Sequence, residues 1–431
     1  VGIIGSGGRE HAICENIKNS SKIKKIFCFP GNAGTKSIAE NVEIDLENFE
    51  NIKSFILKKE IDLIIIGPEK PLVDGIVDYL EKFEIKVFGP NKIAAQLEGS
   101  KIFTKKLCKE NNIPTANFGI FNDRESSKKF LKKTNYPTVI KANNLASGKG
   151  VYICENETEA ETAVDEIFAG KFGQANEILI EEFLSGEEMS FFILTDGLNI
   201  KNFGTAQDHK RVLEGDKGKN TGGMGAYSPS RLISDELEKK IIRKIIDPTL
   251  KAISKLGTKY KGFLYAGLMI TNNEPYLIEY NVRMGDPECQ TILPKLDTDL
   301  SDIILACCDG KLDQIKIDWN NKKSLCIVLC SKGYPDEFKK NIEIENLDKV
   351  NLTNNDFIFH AGTYKKDKKI FSKGGRVLNF VSLSDNFFQS RENNIRNLSK
   401  LDWSEGFYRK DIGFKVIEKW ELSPEFLREE N

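Results

Sequence analysis

The densest run of polar side chains able to do chemistry is Tyr276–Gln290, YLIEYNVRMGDPECQ. Strand alternation would put Glu279 and Asn281 on one face, two hard oxygen donors close together. That pair suits Mg²⁺, which takes one or two protein ligands and fills the rest of its shell with phosphate and water. Arg283 continues on the same face, where it could pair with a carboxylate or an acyl phosphate. Asp286 and Glu288 follow in a turn set by Gly285 and Pro287. A purely structural cluster of ion pairs is the competing reading. It leaves unexplained why so many polar groups share the end of an apolar strand.

Three further segments carry possible ligand contacts. Asn144–Gly150, NLASGKG, ends in Gly148, Lys149 and Gly150. It is not a Walker A loop, because Gly150 rather than Ser or Thr follows Lys149 and no glycine opens it. Lying between the strand-like Thr138–Lys141 and Val151–Cys154, it reads as a hairpin that could close over a triphosphate through its amides, with Lys141 reaching the phosphate oxygens. A mobile surface hairpin is an equal alternative. Ile178–Ser190, ILIEEFLSGEEMS, reads as a strand entering a short linker. Glu181, Leu184 and Glu188 stand in the order needed to offer backbone groups to an adenine edge and a carboxylate to a ribose; a solvated acidic turn would look the same. Thr205–Ser228 combines Asp208, His209, Lys210 and Arg211 with a glycine-rich stretch, too long and polar for a mere connector.

Gly5-Ser6-Gly7-Gly8 follows the first apolar run and opens a helical pattern, so its amides could face an anion. The dinucleotide fingerprint fails here. Its third glycine would fall on Glu10, and the second strand ends in Phe29-Pro30 without the ribose-binding acid. A tight strand-to-helix turn is the simpler alternative. The three histidines, His11, His209 and His360, offer no pair with zinc-ligand spacing, and no serine sits on a nucleophile elbow. The chemistry therefore reads as phosphoryl and acyl transfer between bound ligands, with metal and positive charge stabilising the transition states.

These residues need a scaffold, and the hydrophobic pattern supplies one. From Val1 to about Pro90, buried-strand runs (Val1–Ile4, Ile23–Phe29, Ile61–Ile66, Ile85–Phe88) alternate with helical patterns such as His11–Asn19 and Pro71–Phe83. That alternation implies a parallel sheet covered by helices. Helix is expected at Lys101–Asn112 and Asp235–Leu256, and strands at Thr138–Lys141, Val151–Cys154, Ile178–Glu182, Tyr265–Thr271 and Pro275–Asn281. After Trp319 come strands at Leu325–Cys330, Phe357–His360 and Gly375–Phe380. The fold class is thus α/β and α+β multidomain, with boundaries near 100 and 320.

Composition agrees: 431 residues, 40% hydrophobic and 29% charged, is ordinary for a chain of about three domains. Nine cysteines without a CxxC pair read as reduced thiols of a cytoplasmic protein. A net charge of −1 with no basic, aromatic-interleaved block gives no reason to propose nucleic acid. Apolar runs such as Ile61–Gly67 and Ser324–Cys330 are too short to cross a bilayer, and the opening residues read as a strand rather than a secretory signal.

Taken in order, GSGGREHA (Gly5–Ala12), PGNAGT (Pro30–Thr35), GPE and PLVDGIVD (within Gly67–Asp78), FGPNKIAAQLEGSKIFTK (Phe88–Lys105), QDHKR, NTGGMGAYSP, GFLYAGLM, RMGDPECQ, HAGT (His360–Thr363), GGRVL (Gly374–Leu378) and YRKDIG (Tyr408–Gly413) resemble the phosphoribosylamine–glycine ligase family of the ATP-grasp superfamily over almost the whole chain. The resemblance implies an N-terminal parallel α/β substrate domain (1–100), an ATP-grasp core with a mobile lid (101–319, lid about 115–187) and a small C-terminal α+β domain (320–431). It implies ATP as co-substrate, Mg²⁺ or Mn²⁺ on Glu279 and Asn281, and ligation of glycine to 5-phosphoribosylamine through a glycyl phosphate. Phosphates would meet Lys101, Lys141 and the Gly148–Gly150 lid, adenine the Glu181–Leu184 linker, and ribose Glu188. Arg283 would stabilise the acyl phosphate, and Asp208 or Asp286 would take the glycine ammonium. Gly7, Gly8, Gly374, Gly375 and Arg376 would take the ribose 5-phosphate. Oligomeric state stays open, with a monomer favoured.

The chain departs from the family pattern at Asn143 and Asn144, where an acid and a glycine are usual, and at Lys219, where proline is usual. Asn144 in place of glycine is expected to stiffen the lid. Met269 stands where many ATP-grasp enzymes have a further carboxylate, so two protein ligands are expected for the metal. Competing readings are a purine-pathway carboxylase of the same superfamily, a non-catalytic nucleotide sensor and an NAD-dependent oxidoreductase. QDHKR and RMGDPECQ speak against the first, and Glu10 with the missing ribose acid against the last.

Overall fold

The computed structural model describes residues 1–143, 150–173, 176–401 and 403–421. Five short strands, β1 (Gly2–Gly5), β2 (Phe27–Pro30), β3 (Glu40–Asn41), β4 (Leu63–Ile66) and β5 (Lys86–Phe88), form a sheet in the order β3-β2-β1-β4-β5. Every neighbouring pair is parallel. β1 and β4 are buried along their whole length, which is why they read as unbroken apolar runs rather than alternating ones. The helical pattern expected over Pro71–Phe83 is two helices, Glu69–Asp74 and Ile76–Glu81. Gly75 breaks it with φ +97°, a left-handed conformation that glycine adopts without a Cβ clash.

A second, four-stranded antiparallel sheet holds β6 (Phe118–Phe121), β7 (Thr138–Ala142), β8 (Val151–Cys154) and β9 (Ile178–Glu182) in the order β6-β9-β7-β8. Its apolar face packs on the helix Glu157–Phe168 through Ala160, Ala163, Val164 and Ile167. Gly148 and Lys149, with Asn144, lie outside the described residues.

The largest sheet is built from β10 (Glu187–Thr195), β11 (Ile200–Asp208), β14 (Gly225–Ser228), β15 (Gly262–Thr271), β16 (Glu274–Asn281), β17 (Lys323–Ser331), β18 (Asp356–His360) and β21 (Arg376–Ser384), in the order β16-β15-β10-β11-β14-β17-β21-β18. All of these pairings are antiparallel. β22 (Gly406–Phe407) adds to the end of β17. Two hairpins stand apart from the sheet: β12 (Arg211–Leu213) with β13 (Lys217–Asn220), and β19 (Thr363–Lys366) with β20 (Lys369–Ser372). The strands expected at Leu325–Cys330, Phe357–His360 and Gly375–Phe380 thus lie in one sheet with those that line the cleft described below.

The helix expected over Asp235–Leu256 is present, interrupted by a π-turn at Ile242–Ile246 just before Pro248. All nine cysteines are free thiols; Cys14 and Cys28 approach to 3.2 Å between sulfurs. Among the described residues no helix is long and apolar enough to cross a membrane.

The N-terminal sheet meets the C-terminal strands through two buried histidines. The His360 amide donates to His11 Nδ1 at 2.8 Å, and Asn32 Nδ2 donates to the His360 carbonyl at 2.8 Å. Burial drives both imidazoles toward the neutral form, His11 down to about 3 and His360 to about 4.

Candidate active site

Between the four-stranded sheet and the large sheet lies a cleft of about 620 Å³. Val139, Lys141, Val151 and Ile153 come from one side, Glu279, Asn281 and Met269 from the other, and the linker Phe183–Gly186 closes one end. A smaller cavity of about 140 Å³ shares Lys141, Glu181, Glu279, Asn281 and Arg283 with it and adds Lys101, Lys105 and Gly150.

Sequence predicts Lys101 and Lys141 here, and both arrive; it did not predict Lys105. One helical turn beyond Lys101, Lys105 sits on the same face of the Lys101–Glu110 helix, so its position relative to Lys101 was the available signal. Glu181 Oε2 lies 3.0 Å from Lys141 Nζ and 3.1 Å from Lys105 Nζ, with all three side chains buried. The carboxylate of Glu181 therefore answers the lysines. Its backbone is taken up by pairing with β6 and β7, which leaves the following linker to offer free edges. Burial lowers the ammonium pKa of Lys101 and of Lys105, against the pull of Glu279 and Glu181 respectively. Lys101, Lys105, Lys141 and Arg283 line this small space together with Glu69, Glu98, Glu181 and Glu279, so positive and negative groups alternate around it.

On the opposite wall Glu279 pairs with Gly267 and Asn281 with Tyr265 across β15, and a register shift separates Glu279 from Leu277. Glu279 and Asn281 both line the cleft, on the face that strand alternation predicts for them. Among the described residues no group of three or more His, Cys, Asp or Glu could hold a metal unaided. The donor set fits a hard cation that shares its shell with a ligand's phosphates rather than one caged by protein.

Lys210, to which sequence assigned no role, stands between two of the predicted residues. Its Nζ lies 2.8 Å from Glu188 Oε2 and 4.0 Å from Glu279 Oε1. Desolvation alone would lower this ammonium, but Glu188 and Glu279 outweigh it and hold its pKa well above the usual value. Lys210 in turn lowers Glu188. Glu188 lies on β10 rather than in a turn, and Gln207 Nε2 fixes its carbonyl at 3.0 Å.

Arg283 borders both cavities, but its guanidinium is bound elsewhere: Nη2 to Glu98 at 2.6 Å and Nε to Glu69 at 3.2 Å. Asp286 is engaged through one oxygen, Oδ1, by Gln290 Nε2 at 2.6 Å and Arg376 Nη1 at 3.4 Å. Asp208 differs. Its Oδ1 is buried without a partner, and burial with the nearby Glu288 pushes its carboxyl well above the usual range. Glu288 accepts from Ser190 Oγ at 3.0 Å.

The residues predicted to hold a ribose phosphate do not line this cleft. Gly7 and Gly8 sit one layer behind it, at the start of the helix Gly8–Ile17, against Asp286, Gln290 and Asn379. Arg376 reaches the same place, donating to the carbonyls of Asp286 and Gly222. Gly375 packs under Tyr334, and Gly374 against Gly362. Of the departures from the family pattern, Asn143 and Lys219 lie among the described residues. Asn143 Oδ1 accepts from Ile102 N at 3.0 Å and Ser100 Oγ at 3.1 Å, as a carboxylate oxygen would, and Lys219 pairs with Asp336.

A four-stranded antiparallel sheet facing a larger antiparallel sheet, with lysines from one side opposite a carboxylate and an amide from the other, defines an ATP-grasp enzyme. Profiles of three phosphoribosylglycinamide synthetase domains match the chain in order: the N domain over residues 1–98, the ATP-grasp domain over 99–289 and the C domain over 324–415. The chain belongs to the phosphoribosylglycinamide synthetase family. It is 44% identical to the phosphoribosylamine–glycine ligase of Brucella melitensis over 97% of this chain and 98% of that one. The crystal structure of phosphoribosylamine–glycine ligase from Thermotoga maritima superposes with a TM-score of 0.83 at 34% identity, covering 95% of this chain and 99% of that one. A Campylobacter jejuni biotin carboxylase solved as a β-γ-ATP complex shares the fold, with a TM-score of 0.71 at 17% identity over 99% of this chain and 96% of that one.

Proposed function

We propose that this chain ligates glycine to 5-phosphoribosylamine, cleaving ATP to ADP and phosphate and yielding glycinamide ribonucleotide for purine biosynthesis. The glycine carboxylate attacks the γ-phosphorus to give glycyl phosphate and ADP. The amine of phosphoribosylamine then attacks the acyl carbon, phosphate leaves, and the amine surrenders a proton. The observation that carries this reading is the pocket that sets Lys101, Lys105 and Lys141 against Glu279 and Asn281.

In this reading the three lysines and the Gly148–Gly150 segment hold the polyphosphate. The linker around Leu184 offers its backbone to adenine, Glu188 takes the ribose hydroxyls, and Glu181 keeps Lys105 and Lys141 aimed. Glu279 and Asn281 hold a divalent cation, Mg²⁺ or Mn²⁺, which when bound neutralises charge on the phosphates. Arg283, already shared by Glu69 and Glu98, contributes its field to the acyl phosphate rather than a two-pronged grip. Of the two candidate partners for the glycine ammonium, Asp208 is favoured over Asp286, because Asp208 Oδ1 is buried without a partner whereas Asp286 already faces Arg376 and Gln290. Gly7, Gly8, Gly374, Gly375 and Arg376 are assigned to the ribose 5-phosphate. Residues 1–100, 101–319 and 320–431 serve as substrate, ATP-grasp and C-terminal domains of a cytoplasmic protein.

A coupled assay of ADP release with ATP, glycine and phosphoribosylamine omitted in turn tests the reading. It requires all three, and release that persists without glycine or without the amine overturns it.

A further inference from the structure

Lys210 is held in place from a distant part of the chain. Both of its sequence neighbours are bonded to residues 409–413: the Arg211 carbonyl accepts from Arg409 Nη1 at 2.9 Å, and His209 Nε2 accepts from the Gly413 amide at 3.0 Å. The hairpin β12–β13 that begins at Arg211 is tied to the same segment. Arg409 Nη1 meets Asp216 Oδ1 at 2.9 Å, Gly215 N donates to Asp411 Oδ2 at 2.8 Å, and Lys410 N donates to Glu214 Oε1 at 3.1 Å. Lys415 closes on Asp216 at 2.5 Å, and both side chains border the large cleft.

The hairpin needs such ties. Its two strands form a sheet of their own, and a lone two-stranded hairpin is marginal in water. Arg409 supplies the firmest of them. It is 1% exposed and grips Asp411 through Nε at 2.8 Å and Nη2 at 2.7 Å, leaving Nη1 for the hairpin. A buried guanidinium contributes little net stability against an apolar substitute, but it fixes geometry that an apolar side chain would leave loose.

Resting on the proposed function above, we propose that residues 409–415 are a clamp on the nucleotide site and that Arg409 is a positioning residue, holding Lys210 between Glu188 and Glu279 for ATP binding. Arg409 touches no substrate; it acts through Lys210.

The test is a double-mutant cycle in the full chain with Arg409→Met, Lys210→Met and both, reading the KM for ATP and for glycine. Arg409→Met is expected to raise the KM for ATP by about tenfold, the scale of one charged hydrogen bond lost, while the KM for glycine stays within about twofold. In the Lys210→Met background the same change is expected to add less than about twofold, because the two residues act as one unit. Full multiplication of the two penalties, or an unchanged KM for ATP in Arg409→Met, overturns the clamp. If Arg409→Met fails to fold, Arg409→Lys and Asp411→Asn carry the same cycle. Lysine keeps one bond to the hairpin and is expected to retain part of the ATP affinity, and two variants indistinguishable from the unaltered protein overturn the clamp equally. Unaltered protein that shows no saturable ATP binding removes the reading of the site itself, and the clamp with it; intact binding with an additive cycle removes the clamp alone.

Discussion

Glu98 Oε1 lies 2.6 Å from Arg283 Nη2, while Glu98 Oε2 accepts from the Val282 amide at 2.8 Å. One carboxylate from the helix Lys92–Gly99 thus pins both the backbone and the side chain just past the end of β16, the strand that carries Glu279 and Asn281. Glu69 shares the same guanidinium. Two carboxylates that share Arg283, with Arg9 also near, do not ionise alike: Glu69 is drawn down to about 2, chiefly by Arg283, and Glu98, desolvated and facing Glu69, is pushed up to about 7.

Removing the rival acid is expected to release Glu98. In Glu69→Gln the Glu98 pKa should fall, with burial still holding it above the ordinary carboxylate range, read by the carboxyl carbon shift across a pH titration. The sign for stability follows. An acid whose native pKa is raised keeps a proton that the unfolded chain releases above about 4.3, so its contribution declines as pH climbs from there to about 7. Glu69→Gln should flatten that decline in a series of denaturant melts. A Glu98 pKa that stays near 7 in the variant would refute the shared-cation account.

The buried lysine pair makes a non-additive prediction. Lys105→Met and Lys141→Met each leave Glu181 one partner, whereas the double variant strands a buried carboxylate, costing about 3–5 kcal/mol. The double variant is therefore expected to lose more stability than the two single losses added together. Urea melts at neutral pH decide it, and simple additivity would argue that Glu181 is not held by the pair.

Glu279→Gln keeps the shape of the strand and removes one charged oxygen from the proposed metal site. The half-saturating Mg²⁺ concentration for ADP release is expected to rise by roughly tenfold or more, with thermal stability little changed. An unaltered metal requirement would place the cation elsewhere.

Gly8 tests how tightly the first domain seats on the rest. A Cβ there would stand 2.5 Å from both Asn379 Nδ2 and Gln290 Nε2, so Gly8→Ala must displace two buried, hydrogen-bonded amides. Overpacking of this kind costs about 1–3 kcal/mol. Because Gln290 also holds Asp286, the KM for the amine substrate is expected to rise while that for ATP stays. Equal rises in both would mean a general loosening.

Sequence disclosed most of the N-terminal sheet, because strands buried on both faces are written as unbroken apolar runs. It also disclosed the limits of β8 and β9 and the shared face of Glu279 and Asn281, which depend on local alternation. β10 and β11 were obscured because Glu187 and Glu188 at the head of β10 imitate an acidic turn, while the apolar residues that commit it to the sheet come after them. The partners of Arg283 were out of reach for another reason. Glu69 and Glu98 lie 214 and 185 residues away, and only the packed fold shows that they have already claimed its charge. Tertiary pairing likewise decides that Asp208 Oδ1 is buried without a partner while Asp286 Oδ1 is shared by Gln290 and Arg376.

The continuity of the large sheet has a practical outcome for anyone who would divide the molecule. β17 lies between β14 and β21, so the chain crosses residue 320 and re-enters the sheet it has just left. A break placed in the connection before β17 would expose two edges, the short one of β14 and the longer one of β17, each shaped to receive the other. The two pieces made that way are complementary fragments suited to a split reporter of their own reassembly, rather than independent modules to be traded between proteins.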